Sequence, residues 1–234
     1  MKDSDYTRFA RLGFERCHTA GAVLVYRATR PDLKRLLDLD RPVDQSSTLR
    51  GRGQLRLIEP DLVVRPLLHG GLLRHITGTR FLSLERSIRE LEISEHLRNH
   101  GIRTPQILGI IITPSGIFRK ISVVSELVPD SVDLLTWLET PRAKSPEIFI
   151  QAGRLIRQIH ALGVFHADCH LKNFLLDSDH NLWVLDLDKA HRFLTLPAFM
   201  QQMNFRRFVR SCRKWQKKGR IHLPPSWLAQ LREN

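Results

Sequence analysis

The 234 residues hold only three cysteines, two tyrosines and three methionines. Cys17, Cys169 and Cys212 are few, odd in number and far apart, which argues against a disulfide framework and fits a reducing cytosol. Long apolar runs are missing as well. The longest, Ala22 to Tyr26 and Ile107 to Ile112, fall far short of the roughly 20 residues that a bilayer-spanning helix takes. The opening segment MKDSDYTRFARLGF has no apolar h-region, so no signal peptide is expected. Neither an internal repeat nor a low-complexity tract is visible. Acid is the scarce charge, with 24 Asp plus Glu against 37 Lys plus Arg and a formal net charge of +13. That balance favours anionic partners: nucleic acid, phosphorylated ligands or an acidic membrane surface.

Hydrophobic residues make up 42% of the chain and charged residues 26%, enough to bury a core and too little polarity for wholesale disorder. The length suits one large domain or two small lobes. AVLVY (Ala22 to Tyr26) reads as a strand. Asp32 to Asp44 reads as a helix running into a loop. Leu55 to Ile58 and Leu62 to Leu67 read as strands joined by a Glu59-Pro60-Asp61 turn, with Gly51 and Gly53 before them and Gly70 and Gly71 after.

Phe81 to His100 predicts a helix, since Leu84, Ile88, Leu91 and Leu97 recur at helical spacing and Gly101 stands where a C-terminal cap belongs. Ile107 to Ile112 and Ile117 to Leu127 predict a hairpin turning at Pro114-Ser115-Gly116. Val132 to Glu139 is expected to be a short helix. Pro146 to Leu162 is expected to be an amphipathic one closed by Gly163. Phe174 to Leu176 and Leu182 to Leu187 predict strands around an Asp177 to Asn181 turn, and Pro197 to Lys218 a very basic helix. This is an α+β plan of two lobes, residues 1–127 and 128–234, with a hinge near Ser125 to Asp130.

The densest chemistry lies in GVFHADCHLKNFLLDSDHNLWVLDLDKA, Gly163 to Ala190. His166-x-Asp168 is followed by Asn173, a strand–turn–strand, and Asp186-Leu187-Asp188. Phosphoryl transfer needs a carboxylate facing the attacking hydroxyl and oxygen ligands that hold Mg²⁺ against ATP phosphates. A loop followed by a hairpin gathers Asp168, Asn173 and Asp186 around one point.

HADCHLKNFLLD resembles the catalytic loop of protein kinases, His-Arg-Asp followed five residues later by Asn, and DLD stands where Asp-Phe-Gly would stand. More narrowly, GRLIRQIHALGVFHADCHLKNFLLD and VLDLDKA resemble the lipopolysaccharide core kinases, the Kdo and heptose kinase family, and within it the kinases of 3-deoxy-D-manno-octulosonic acid (Kdo). The resemblance runs from about Leu49 to about Arg192. It implies a two-lobed protein-kinase-like fold, with an antiparallel sheet and one long helix in the N-lobe and a reduced, mostly helical C-lobe. It also implies ATP and Mg²⁺ as cofactors.

Carried over residue by residue, Asp168 would orient or deprotonate a sugar hydroxyl. Asn173 and Asp186 would bind Mg²⁺, and Asp188 would be a further metal ligand or a structural acceptor. Arg65 stands where protein kinases place a phosphate-binding Lys, and Glu90 matches its ion-pair partner. Gly51 and Gly53 would form a short phosphate loop. Glu126 and Val128 fall in the hinge segment that offers backbone groups to adenine. Leu175 and Leu185 would flank the adenine pocket. The Lys usual two residues after the catalytic Asp is His170 here, and Lys172 is expected to supply that charge. His166 is expected to pack and to hydrogen-bond backbone.

The resemblance implies an acceptor on Kdo–lipid A at the cytoplasmic face of the inner membrane. The 48 residues after Asp186 are too few for a peptide groove, which disfavours a protein substrate. Asn204 to Arg220 holds eight basic residues and no acidic one, with Phe205, Phe208, Val209 and Trp215 available to a membrane interface. Arg74, His75, Arg80, Arg86 and Arg89 are candidates for an acidic sugar. Other readings remain: a heptose kinase or another small-molecule kinase, a metal hydrolase built on His166, Asp168, His170 and His180, or a non-catalytic binder of anions. Nucleic acid is not expected, since the basic stretch lacks stacking motifs.

Overall fold

A computed structural model describes residues 3–19, 21–37, 55–58, 60–68, 80–140 and 147–233, with the side chain of Arg80 outside that set. The chain divides into two compact units, Met1–Glu92 with Gln106–Leu127, and Ile93–Pro105 with Val128–Asn234. One break falls after Leu127, and residues 93–105 group with the second unit, because Ile93, Leu97 and Ile102 are buried in its core.

The first unit is an antiparallel sheet in the order β1-β2-β6-β7-β4-β3. Its strands are β1 (Phe14–His18), β2 (Val23–Arg27), β3 (Arg56–Ile58), β4 (Leu62–Pro66), β6 (Ile107–Ser115) and β7 (Phe118–Glu126), with β5 (Arg80–Phe81) pairing β7. Side chains alternate faces along a strand. Leu24, Tyr26, Val64 and Val124 therefore join one apolar cluster, completed by Leu33 and Leu36 from a 3-10 helix, Pro31–Leu37. Val25, Ile110 and Val123 join the other, with Ile88 and Leu91 of the Glu85–Asn99 helix and Phe9 of the Asp3–Arg11 helix. A register shift between Ile107 and Gly109 marks a bulge in β6.

Several predicted boundaries move. The long helix starts at Glu85 rather than Phe81, because Ser83 Oγ caps the Glu85 N–H (3.0 Å) and Phe81 belongs to β5. Its other end is as read. Gly101, at φ +77°, donates to the Arg98 carbonyl while Ile102 donates to Leu97, the paired bonds of a Schellman cap. Residues 38–44 of the expected helix-to-loop stretch, Glu59, Gly70, Gly71, Arg74 and His75 lie outside the described residues, as do Gly51 and Gly53.

In the second unit the Glu147–Ala161 helix buries Ile148, Phe149, Ala152, Leu155, Ile156 and Ile159. Gly153 lets the Leu231 carbonyl approach so closely that a Cβ there would sit 2.0 Å from its oxygen. A three-stranded sheet runs β11-β10-β8, with β8 (Val132–Asp133), β10 (Phe174–Leu176) and β11 (Leu182–Val184), and β9 (Val164–Phe165) pairs β12 (His191–Arg192). The expected helix from Val132 is therefore a strand step followed by a helix, Leu134–Leu138, capped by Asp133. Helices Ala198–Lys217 and Trp227–Arg232 complete the unit.

Candidate active site

Two loops hold Asp168, Asn173, Asp186 and Asp188, and paired strands fix both. Residues 166–173 run from β9 to β10, and residues 185–190 run from β11 to β12. β10 pairs β11 (Phe174 with Val184), and β9 pairs β12 (Phe165 with His191). Each loop is therefore tied to the other at both ends. A cross-link also joins them directly, from the Leu185 N–H to the Asn173 carbonyl (2.8 Å). The predicted strand through Leu187 ends at Val184. Asp186 follows with φ +59°, in the left-handed region that Asp tolerates better than most residues.

His166 is 2% exposed and holds the two loops together. Its Nε2 donates to the Leu185 carbonyl (2.9 Å), and its Nδ1 accepts from the Asp168 N–H (3.3 Å). Burial pushes the imidazole down to about 4, against the opposing pull of the Leu185 carbonyl and the Asp168 carboxylate. A neutral ring with both nitrogens committed is a brace, as expected. It leaves His166 no lone pair for a metal, so the hydrolase cluster loses a member. Among the described residues no group of three or more His, Cys, Asp or Glu side chains is arranged to hold a metal.

Asp168 is pinched between two cations. Lys189 Nζ donates to its Oδ2 (2.8 Å) and Arg207 Nη1 to its Oδ1 (3.0 Å). Burial alone would raise this carboxyl, but the Lys189 hydrogen bond and the charges of Lys189 and Arg207 hold it below the usual carboxylate range. The carboxylate in turn holds Lys189 above the usual lysine range. Asn173, at the end of a 3-10 turn over Leu171–Asn173, donates Nδ2 to the Asp168 carbonyl (2.9 Å). Asp188 is buried beside Lys189 in sequence.

Lys172 departs from its expected place. Its ammonium lies over the Trp215 ring, 5.3 Å from the centroid, and the cations on Asp168 are Lys189 and Arg207. Sequence reading missed both, along with Asn204. The Asn204 amide accepts from the His166 N–H (3.1 Å), donates to the His166 carbonyl (2.8 Å) and meets His160 Nε2 (3.1 Å). Arg207 and Asn204 lie three residues apart on one face of a helix that read only as a basic tail. Only the three-residue helical spacing links them, and no motif in the sequence marked it.

In the first unit Arg65 of β4 forms an ion pair with Glu90, which is 4% exposed. The strand pattern explains it. Leu62 and Val64 occupy one face, so Arg65, opposite Val123, points to the face covered by the Glu85–Asn99 helix. Glu126 is also structural in part, since its Oε1 accepts from the Gln106 N–H (2.8 Å). Val128 is buried, and its carbonyl accepts from Ser131 Oγ (2.7 Å). Leu175 and Leu185 are half-buried. Arg86 donates to the Leu68 carbonyl (2.9 Å) and lies over Phe81, which gives it a structural use. Cys169 is buried, and burial pushes its thiol up to about 12, which makes it inert.

Comparisons with known proteins place the chain among characterised sequences and folds. The chain is 31% identical over 129 residues to a 3-deoxy-D-manno-octulosonic acid kinase of Vibrio cholerae serotype O1, a match spanning 55% of this chain and 54% of that protein. It is 27% identical over 179 residues to the kinase of the same name from Vibrio vulnificus, covering 74% of this chain and 75% of that one. A solved structure titled WaaP in complex with acyl carrier protein superposes on 98% of this chain and 80% of that chain, with a TM-score of 0.53. At 17% identity it shows the shared fold. The profile of the lipopolysaccharide kinase (Kdo/WaaP) family matches residues 38–226, and the chain belongs to that family.

Proposed function

We propose that the chain transfers the γ-phosphoryl group of ATP to a hydroxyl of Kdo on a lipid A precursor. The observation that carries this is the Asp168 carboxylate, held by Lys189 and Arg207 in a loop tied to the Asp186 loop. A kinase needs little covalent chemistry from its protein; positioning and charge supply most of the acceleration. Asp168, kept below the usual carboxylate range, is a weak base. It serves by accepting a hydrogen bond from the acceptor hydroxyl and aligning it, and takes the proton late. Lys189 stands 2.8 Å away to balance negative charge on the transferred group. Arg65, fixed by Glu90, serves the nucleotide phosphates with a permanent, forked cation.

Asn173 and Asp186 offer an amide and a carboxylate oxygen, the hard donors that Mg²⁺ prefers, and Asp188 lies two residues on. When bound there, Mg²⁺ would neutralise phosphate charge. The basic helix Ala198–Lys217 suits an acceptor carried on an anionic membrane surface. Among the described residues no helix is long and apolar enough to cross a membrane.

Incubation with ATP labelled at the γ-position and lipid A precursors, with and without Kdo, tests the proposal. Mass spectrometry should place one new phosphate on Kdo. Label on the Kdo-free precursor would reassign the acceptor.

A further inference from the structure

The buried face of the Ala198–Lys217 helix is set by Asn204, Phe208 and Cys212. Phe208, which read from sequence as a membrane contact, packs edge-on against Phe174 at 5.4 Å. The opposite face is a separate feature. Phe199, Met203, Arg206, Arg210 and Arg213 are spaced four, three, four and three residues apart, which places them on one stripe of a 3.6-residue helix. Phe199 is 62% exposed and Met203 47%, and the three arginines are exposed as well. The stripe is apolar for its first turns and cationic for the rest.

Along its cationic part runs a groove of about 380 Å³. Phe205, Val209 and Leu228 form its apolar floor, and Arg206, Arg210, Arg213 and Arg232 stand around it. None of these four guanidiniums is in an ion pair among the described residues, whereas the adjacent Arg207 is in one with Asp168. The sequence has no acidic residue between Asp188 and Glu233. Four cations over an apolar floor attract an anion that brings its own apolar part. A free phosphate gains nothing from Phe205, Val209 and Leu228, nor from the exposed Phe199 and Met203. An anionic phospholipid uses all of them.

We propose that this stripe and groove form an accessory seat for the phosphate headgroup of an anionic membrane phospholipid, distinct from the Asp168 site. Phe199 and Met203 enter the headgroup–acyl boundary, and Arg206, Arg210, Arg213 and Arg232 take the phosphate. The deepening rests on the membrane-borne acceptor proposed above only in preferring a lipid surface. The test uses neither ATP nor acceptor, so its failure leaves phosphoryl transfer untouched.

Sedimentation of the full chain with vesicles of phosphatidylcholine, with and without phosphatidylglycerol, reads the site directly. Binding should need phosphatidylglycerol. Arg210→Glu with Arg213→Glu should weaken it roughly tenfold or more. Phe199→Ser with Met203→Ser should weaken it several-fold at unchanged charge. Arg11→Glu with Arg35→Glu, an equal charge change on exposed residues of the first unit, should leave most binding intact, and circular dichroism melts check that each variant folds. Equal loss from both reversed pairs would overturn the proposal in favour of bulk charge. Displacement by inorganic phosphate beyond that by chloride at matched ionic strength, with no effect of the apolar pair, would overturn it in favour of a soluble anion. Absence of vesicle binding would also overturn it.

Discussion

Arg207 Nη1 lies 3.0 Å from Asp168 Oδ1 across 39 residues of sequence, so a helix outside the 166–173 loop helps hold the carboxylate proposed to align the acceptor. Asn204, one turn earlier, grips the His166 backbone from the same helix face. The Ala198–Lys217 helix is thus the back wall of the site.

Replacing Asn204 should therefore damage both stability and rate. Asn204→Ala strands the buried His166 N–H and carbonyl, each costing about 1–3 kcal/mol when left without a partner. Urea denaturation should show a loss of roughly 2–5 kcal/mol. A loss under about 1 kcal/mol would mean that water or a neighbour replaces the amide.

The protonation of His166 gives a pH prediction with a definite sign. Its folded value, about 4, lies below the ordinary value of 6.5, so the unfolded chain binds the extra proton between them. Stability should then fall as pH drops from 6.5 towards 4, by roughly 3 kcal/mol from this group alone. His166→Gln should flatten that slope relative to the parent chain in urea titrations at pH 4.5, 5.5 and 6.5. Parallel slopes would show that the ring titrates normally.

Arg65, proposed to serve nucleotide phosphate, is held by its pair with Glu90. Arg65→Met should lower kcat/KM for ATP roughly 100-fold, with Arg65→Lys retaining part of the activity because charge survives and the fork does not. Equal activity in all three proteins would remove Arg65 from the site.

Gly153 tests the packing of the C-terminal helix. A methyl group there meets the Leu231 carbonyl, a backbone atom, so Gly153→Ala should cost about 1–3 kcal/mol in thermal or urea unfolding. A neutral change would show that the Trp227–Arg232 helix shifts freely.

Much of this was legible in the sequence because the signals were local. Short apolar runs bounded by turn residues located β4 and the β6–β7 hairpin, and helical spacing with Gly101 located the Glu85–Asn99 helix. The Asp168, Asn173 and Asp186 spacing marked two loops that the structure ties together. What stayed hidden was non-local. β9 and β12 are two-residue strands, too short for any periodic signal, yet they close the site. Lys189 and Arg207 reach Asp168 from outside its loop, while Lys172, nearer in sequence, is turned to Trp215. A basic helix advertises its charge, and the buried polar Asn204 within it gives no such sign.

The most direct test of the central claim is single-turnover phosphoryl transfer to a Kdo-bearing lipid A precursor by the parent chain and Asp168→Ala, with nucleotide binding measured alongside. Transfer should slow by roughly 100-fold or more while ATP still binds. Undiminished transfer by Asp168→Ala would contradict the account.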